Sequence, residues 1–285
     1  LFDLENKTQM GSEIKDFSRL CIHTQTTRPW DLKSCVENYS RAGIPGITIW
    51  RNVLENQNLK EAKKLLDDHG MTVVSLCRGG FFPSVDKGKR EDAIQDNLRA
   101  IEQAAAIGAP LIVLVCGANG RQSLEKSREQ IAEGITRILP AARATGIRLA
   151  IEPLHPMYAG DRSAVNTMKQ ANDLAGLINS EWVGVAVDVY HVWWDDTLKT
   201  EIERCAREKH LFAFHICDWN VPTTDFLNDR GLMGEGCINI PEIRSWVEEA
   251  GFGGYHEVEI FSTKYWATNQ KEYLEKIKQA YLEKS

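Results

Sequence analysis

The chain alternates short apolar, β-branched runs with longer amphipathic stretches from end to end. Most of the short runs, such as Leu111–Val115 and Gly184–Asp188, are apolar at successive positions, the pattern of parallel strands covered on both faces. Strands are predicted at Leu20–His23, Gly46–Trp50, Thr72–Cys77, Leu111–Val115, Arg148–Glu152, Gly184–Asp188, Phe212–His215 and Tyr255–Ile260. Between them the amphipathic stretches predict helices at Asp31–Ala42, Leu59–His69, Lys89–Ile107, Ser123–Thr145, Val165–Ile178, Lys199–Glu208, Ile240–Ala250 and Gln270–Leu282. The strings RAGIPG, DHGMT, AIGAP, ATGIR and EAGFGG each place a glycine after a helical run and before a strand, where a helix C-terminus favours it. Asp31 and Ser123 are good N-cap types at the start of two helices.

Eight strand–helix repeats predict an α/β fold, a closed (β/α)8 barrel in one domain over residues 19–285, after an N-terminal extension at 1–18. The length of 285 residues suits such a barrel. An open doubly wound sheet would need a glycine-rich phosphate turn after an early strand, and no G-x-G-x-x-G occurs there. The longest irregular stretch is expected at Asp218–Gly236, and loops of that length in compact domains usually serve function.

A net charge of −6 argues against gripping nucleic acid, and no window approaches the length of a membrane span. The seven cysteines are odd in number and lack a C-x-x-C pair, so free thiols in a reducing, cytoplasmic compartment are expected. The absence of an initial Met leaves export open.

In a barrel of this kind the chemistry sits at the C-terminal ends of the strands. Those ends carry His23, Trp50 with Arg51, Arg78, Cys116, Glu152, Asp188, His215 and Glu259. The last four strands thus each end in a metal-ligand type, three carboxylates and an imidazole, a set suited to one divalent ion. Glu257 has the same strand parity as Glu259 and competes with it for the last position. Aromatic faces of Trp50 and Trp219 suit the C–H surfaces of a sugar, and Arg51, Arg78 and Arg230 are candidate clamps for a carboxylate or phosphate. Glu235 of GLMGEG either reaches the site or caps a helix.

The strings LAIEPLHP, VAVDVYHVWW, FHICDW, GEGCINIPEI and GYHEVEIF resemble the sugar isomerase/epimerase family of xylose-isomerase-like TIM barrels, which also includes endonuclease IV. The resemblance implies Glu152, Asp188, His215 and Glu259 as ligands of one divalent metal, manganese first, with magnesium, cobalt or zinc next. It implies Glu152 and Glu259 as catalytic acid/base groups and His191 as a substrate contact. His23, Trp50, Arg78, His155, Asp218, Trp219 and Arg230 complete the expected substrate-binding set. The implied activity is isomerisation or epimerisation of a sugar or keto-sugar through an enediolate, with a lyase or decarboxylase of a keto-sugar acid as the alternative. The expected partners are a small carbohydrate and further copies of the chain, as a dimer or tetramer, with neither nucleic acid nor membrane. A nuclease of this family carries three metals and extra histidines on strands two to four, where this chain offers Trp50/Arg51, Cys77/Arg78 and Cys116/Gly117. A non-catalytic binding protein is the remaining reading.

Overall fold

The computed structural model describes residues 13–285. Ten strands follow in chain order: β1 (Leu20–His23), β2 (Gly46–Trp50), β3 (Thr72–Gly80), β4 (Leu111–Val115), β5 (Arg148–Glu152), β6 (Val183–Asp188), β7 (Leu211–Ile216), β8 (Asp218–Trp219), β9 (Arg230–Gly231) and β10 (His256–Val258). All but β8 and β9 form a closed parallel barrel, sealed where β1 pairs with β10 at Leu20↔His256. The long helices of the outer layer are α1 (Leu32–Arg41), α2 (Leu59–Asp68), α3 (Lys87–Ile107), α4 (Leu124–Thr145) and α5 (Met168–Ile178). The short α6 (Val189–Val192) precedes α7 (Leu198–Arg207) and α8 (Ile240–Glu249), and the short α9 (Thr263–Trp266) precedes α10 (Gln270–Lys284). The architecture is the predicted (β/α)8 barrel in a single domain. The extension expected at 1–18 lies, over residues 1–12, outside the described residues.

The local causes are those of the sequence. The Asp31 carboxylate accepts from the Ser34 N–H and the Ser123 hydroxyl from the Lys126 N–H, which fixes the starts of α1 and α4. Gly146, at φ 73°, ends α4 in the left-handed region. Along β5, β6 and β7, outward residues such as Leu149, Ile151, Val185, Val187 and Phe214 join the layer between strands and helices. The inward row is made of small residues, Ala150, Ala186 and Ala213, packed with Val113, Leu111 and Cys77. Two positions beyond each alanine, on the same face, stand Glu152, Asp188 and His215.

Three departures from the predicted elements have local reasons. β3 continues past Cys77 to Gly80, with a register shift against β4 between Cys77 and Gly79 that leaves Arg78 bulged. β10 stops at Val258, short of Ile260, because the Ile260 N–H donates to the Thr26 hydroxyl (3.0 Å) instead of to a neighbouring strand. The stretch 218–236, expected to be irregular throughout, holds the antiparallel ribbon of β8 and β9. At the opposite, N-terminal end of the barrel, Glu248 gathers Arg19 (2.6 Å), Arg244 (2.8 Å) and His256 (3.2 Å). Among the described residues no helix is long and apolar enough to cross a membrane, and the seven cysteines are free.

Candidate active site

Glu152 and Asp188 close β5 and β6, His215 lies one residue before the end of β7, and Glu259 one residue beyond β10. Each of the four is buried, and one donor atom from each lies within 4.8 Å of those of the others. His23 belongs to a second, overlapping set with His215 and Glu259. His215 Nδ1 stands 3.0 Å from Glu152 Oε1, yet neither atom makes a hydrogen bond. Buried polar atoms without partners are rare and cost about 1–3 kcal/mol each. On the other side of the ring, Nε2 faces Glu257 Oε2 at 3.8 Å. A proton on Nε2 turned to that carboxylate leaves the Nδ1 lone pair for a cation, the outer-shell arrangement common to metal-binding histidines. Three carboxylates and one imidazole, with orphaned atoms on Glu152 and His215, fit a divalent metal ion.

The electrostatics agree. Burial, with the Glu259 and Glu152 charges, pushes the Asp188 carboxyl up to about 7 against the opposing pull of Arg230. Burial acts against a charged His215, but the Glu257 and Glu152 carboxylates outweigh it and lift the ring to about 10. Negative charge is therefore crowded in a dry place, where a cation relieves it. Part of that charge is already matched by Arg230, buried with Nη1 at 2.7 Å from Glu259 Oε2 and 3.3 Å from Asp188 Oδ2. Its guanidinium lies between the rings of Tyr190 (4.3 Å) and Phe261 (4.8 Å).

Depth separates the two glutamates that parity could not. Glu257 lies below the cluster, where its Oε2 accepts from the hydroxyls of Thr48 (2.5 Å) and Ser75 (3.0 Å) and faces His23 Nε2 at 3.2 Å. Burial favours a neutral Glu257, but His215, His23 and Thr48 prevail and keep it charged. Glu259, one turn of the pleat nearer the mouth, completes the four-residue set.

A cavity of about 140 Å³ opens over this set, and six of the sequence-predicted residues line it: Trp50, Arg78, Glu152, His191, Arg230 and Glu259. His191 Nε2 lies 3.4 Å from Arg230 Nη2 and 3.6 Å from Asp188 Oδ2. Burial and the Arg230 charge hold the His191 imidazole well below its ordinary pKa, hence neutral. His23 sits at the floor, fully buried, with Nδ1 at 3.1 Å from Glu259 and 3.2 Å from the Trp50 indole nitrogen. His155 and Trp219 stand one layer back. Trp219 stacks on Tyr190 at 4.7 Å, and the His155 ring leans on Trp219 at 5.0 Å, while the His155 N–H donates to His191 Nδ1.

Asp218, expected at the substrate, has another occupation. Its two carboxylate oxygens accept from the backbone N–H groups of Trp219, Gly234 and Ile238, so it folds the 218–238 excursion. Glu235 neither reaches the cavity nor caps a helix; it binds the Leu232 N–H, Lys264 and the Tyr265 hydroxyl. Arg51 is committed to Asp96 and Gln103. The sequence reading missed Arg162, Tyr158, Leu227 and Phe261, which also line the cavity. The first three come from loops, where no periodicity marks the side that faces the barrel.

A family model described as a xylose isomerase-like TIM barrel matches residues 36–283. An inosose isomerase of Halalkalibacterium halodurans is 23% identical over 275 residues, covering 93% of this chain and 95% of its own. Among solved structures, a protein of Sinorhizobium meliloti 1021 superposes with a TM-score of 0.90 at 44% identity, covering 93% of this chain and 98% of that one. An IOLI protein with a bound zinc atom superposes with a TM-score of 0.82 at 21% identity, covering 93% and 96%.

Proposed function

The chain belongs to the xylose isomerase-like TIM barrel family, and from that membership and the four-residue centre we propose that it is a divalent-metal-dependent isomerase or epimerase of a keto-sugar. The observation that carries the reading is the convergence of Glu152, Asp188, His215 and Glu259 within 4.8 Å under a small, partly apolar cavity. A relative named as an inosose isomerase and an IOLI structure that holds zinc support the reading. Manganese is the first ion to test here, ahead of magnesium, cobalt and zinc.

When bound, the ion supplies a Lewis acid for a carbonyl and its neighbouring hydroxyl. The protein's own residues do the rest. Glu152 and Glu259 come from β5 and from just beyond β10, the two ends of a run of four neighbouring strands, so their carboxylates can address a substrate carbon from two directions, one removing a proton and the other returning it. Return on the opposite face inverts that carbon, and return at the adjacent carbon moves the carbonyl. Arg230 and neutral His191 stand ready to hydrogen-bond substrate oxygens, and Arg230 offsets negative charge as an enediolate develops. Leu227, Tyr158 and Phe261 give the cavity an apolar side.

The test is a metal titration followed by a screen of keto-sugars in deuterated water. We expect one Mn²⁺ per chain and deuterium at a single substrate carbon. Glu152→Gln should abolish incorporation while circular dichroism stays unchanged. Undiminished incorporation in that variant, or none in the wild type with any keto-sugar, would overturn the proposal.

A further inference from the structure

Three arginines line the cavity, and their situations differ. Arg230 is held by Glu259 and Asp188. Arg78 and Arg162, among the described residues, have no carboxylate within ion-pair distance and donate no side-chain hydrogen bond. Each guanidinium instead lies over an aromatic ring, Arg78 over Phe81 at 4.1 Å and Arg162 over Tyr158 at 5.5 Å. A guanidinium held by its face keeps its in-plane N–H groups for an acceptor. Burial and then the charges of Arg162 and Arg51 lower the Arg78 pKa, so the two cavity arginines feel each other across the same space.

Both are borne on backbone that is tied down. Arg78 occupies the bulge of β3, and its carbonyl accepts from Arg51 Nη1 at 3.4 Å. Just beyond, the Asn97 side-chain amide bonds both the N–H (2.7 Å) and the carbonyl (2.8 Å) of Gly80. A Cβ at Gly79 would meet Asn97 Oδ1 at 2.5 Å, so the bulge closes only with glycine there. The Arg162 carbonyl accepts from the Gly117 N–H (2.9 Å), and its own N–H donates to the Tyr158 carbonyl (3.0 Å). Two partly desolvated cations fixed on separate elements, one in a strand bulge and one in a loop, repel each other unless an anion lies between them. Arg78 also borders an adjoining groove of about 430 Å³, in which Arg51 is already committed to Asp96.

We propose that Arg78 and Arg162 form a subsite for a carboxylate or phosphate group of the substrate, so that the molecule turned over at the four-residue centre is an acidic keto-sugar. The substrate assignment rests on the metal-enzyme reading above; the anion subsite itself does not. A planar guanidinium matches either oxyanion in a bidentate fashion, and a pair of them binds it more strongly than a neutral donor set.

The test uses three ketoses that differ only at the far carbon: D-fructose, D-fructuronate and D-fructose 6-phosphate. Each is titrated calorimetrically into the full chain, with and without Mn²⁺. We expect at least one charged ketose to bind about tenfold or more tightly than D-fructose, with a preference that shrinks as salt rises. The charged ketose that binds more tightly identifies the group as carboxylate or phosphate. Arg78→Gln and Arg162→Gln, on separate elements and each checked for an unchanged melting curve, should each narrow the preference about tenfold. Equal binding of all three sugars, no binding of either charged one, or a preference untouched by both variants overturns the subsite. Mn²⁺ binding with deuterium exchange on D-fructose but no charge preference would leave the metal enzyme standing without the subsite. An arginine-dependent preference in a chain that binds no Mn²⁺ would do the reverse.

Discussion

Glu257 and Glu259 lie two apart on one strand face and have opposite occupations. The upper carboxylate belongs to the four-residue set proposed to hold the metal, and the lower is a buried anion satisfied by Thr48, Ser75 and His23. Glu259→Gln should therefore abolish stoichiometric Mn²⁺ binding in a calorimetric titration. Glu257→Gln should keep one ion per chain at an affinity about 10–100-fold weaker, because it supports His215 from behind. It should also lower unfolding free energy in urea by about 3–5 kcal/mol, since a buried hydrogen-bonded charge cluster loses a member. Retained tight metal binding in Glu259→Gln would exchange the two roles. Alternation alone could not separate these residues, because period two records which face a side chain takes and not how deep it lies. Depth depends on the stagger of the strands around the barrel. Asp218 shows the same blindness: its place after a strand end suggested substrate, and only the coordinates reveal the three N–H groups that claim it.

Among the elements, β1, β2, β4 and β5 coincide with the predicted runs to the residue, because each is a continuous apolar stretch cut off by a polar or glycine turn. β3 was legible only as far as Cys77, since Gly79 and Gly80 present no side chain from which to read a pattern. Those glycines have a strict steric cause. A Cβ on Gly80, at φ +108°, would lie 1.9 Å from the Val115 carbonyl oxygen. Gly80→Ala should lose about 2–4 kcal/mol in chemical denaturation, and wild-type stability there would refute the close approach. At the other end of the barrel, burial favours a neutral Glu248, but the His256 imidazole at 3.2 Å and the charges of Arg244 and Arg19 hold its carboxyl below the ordinary 4.5. A depressed carboxyl adds stability that is present above its unfolded pKa and lost as pH falls through the folded one. Glu248→Gln should accordingly cost about 1–2 kcal/mol at neutral pH. The gap to wild type, followed by denaturant titration, should close as the pH drops below about 4.5. A gap constant with pH would assign the loss to packing instead.

For the whole molecule, the proposed ion would join the ends of four consecutive barrel segments and would bind only the folded chain. Mn²⁺ at about 100 times its Kd should stabilise by about 2.7 kcal/mol. That corresponds to a rise in Tm of roughly 5–10 °C by scanning fluorimetry, reversed by a chelator. No shift would count against the assembled centre. The barrel and the convergence of its four-residue cluster were visible in the sequence because both follow the strand period, whereas Arg162 was not, because a bridge between Gly117 and Ser163 brings it in from a loop. The ligand-bearing strands β5, β6, β7 and β10 occupy one arc of the cylinder, while Trp50 and Arg78 come from β2 and β3 on the facing arc. On the proposed reading the four-residue centre keeps to one arc, whereas the anion subsite spans both, with Arg78 from β3 and Arg162 from the connection after β5. Under that proposal, changes at the β2 and β3 termini would retune the accepted cargo from across the barrel, while the four-residue centre stays on strands of its own.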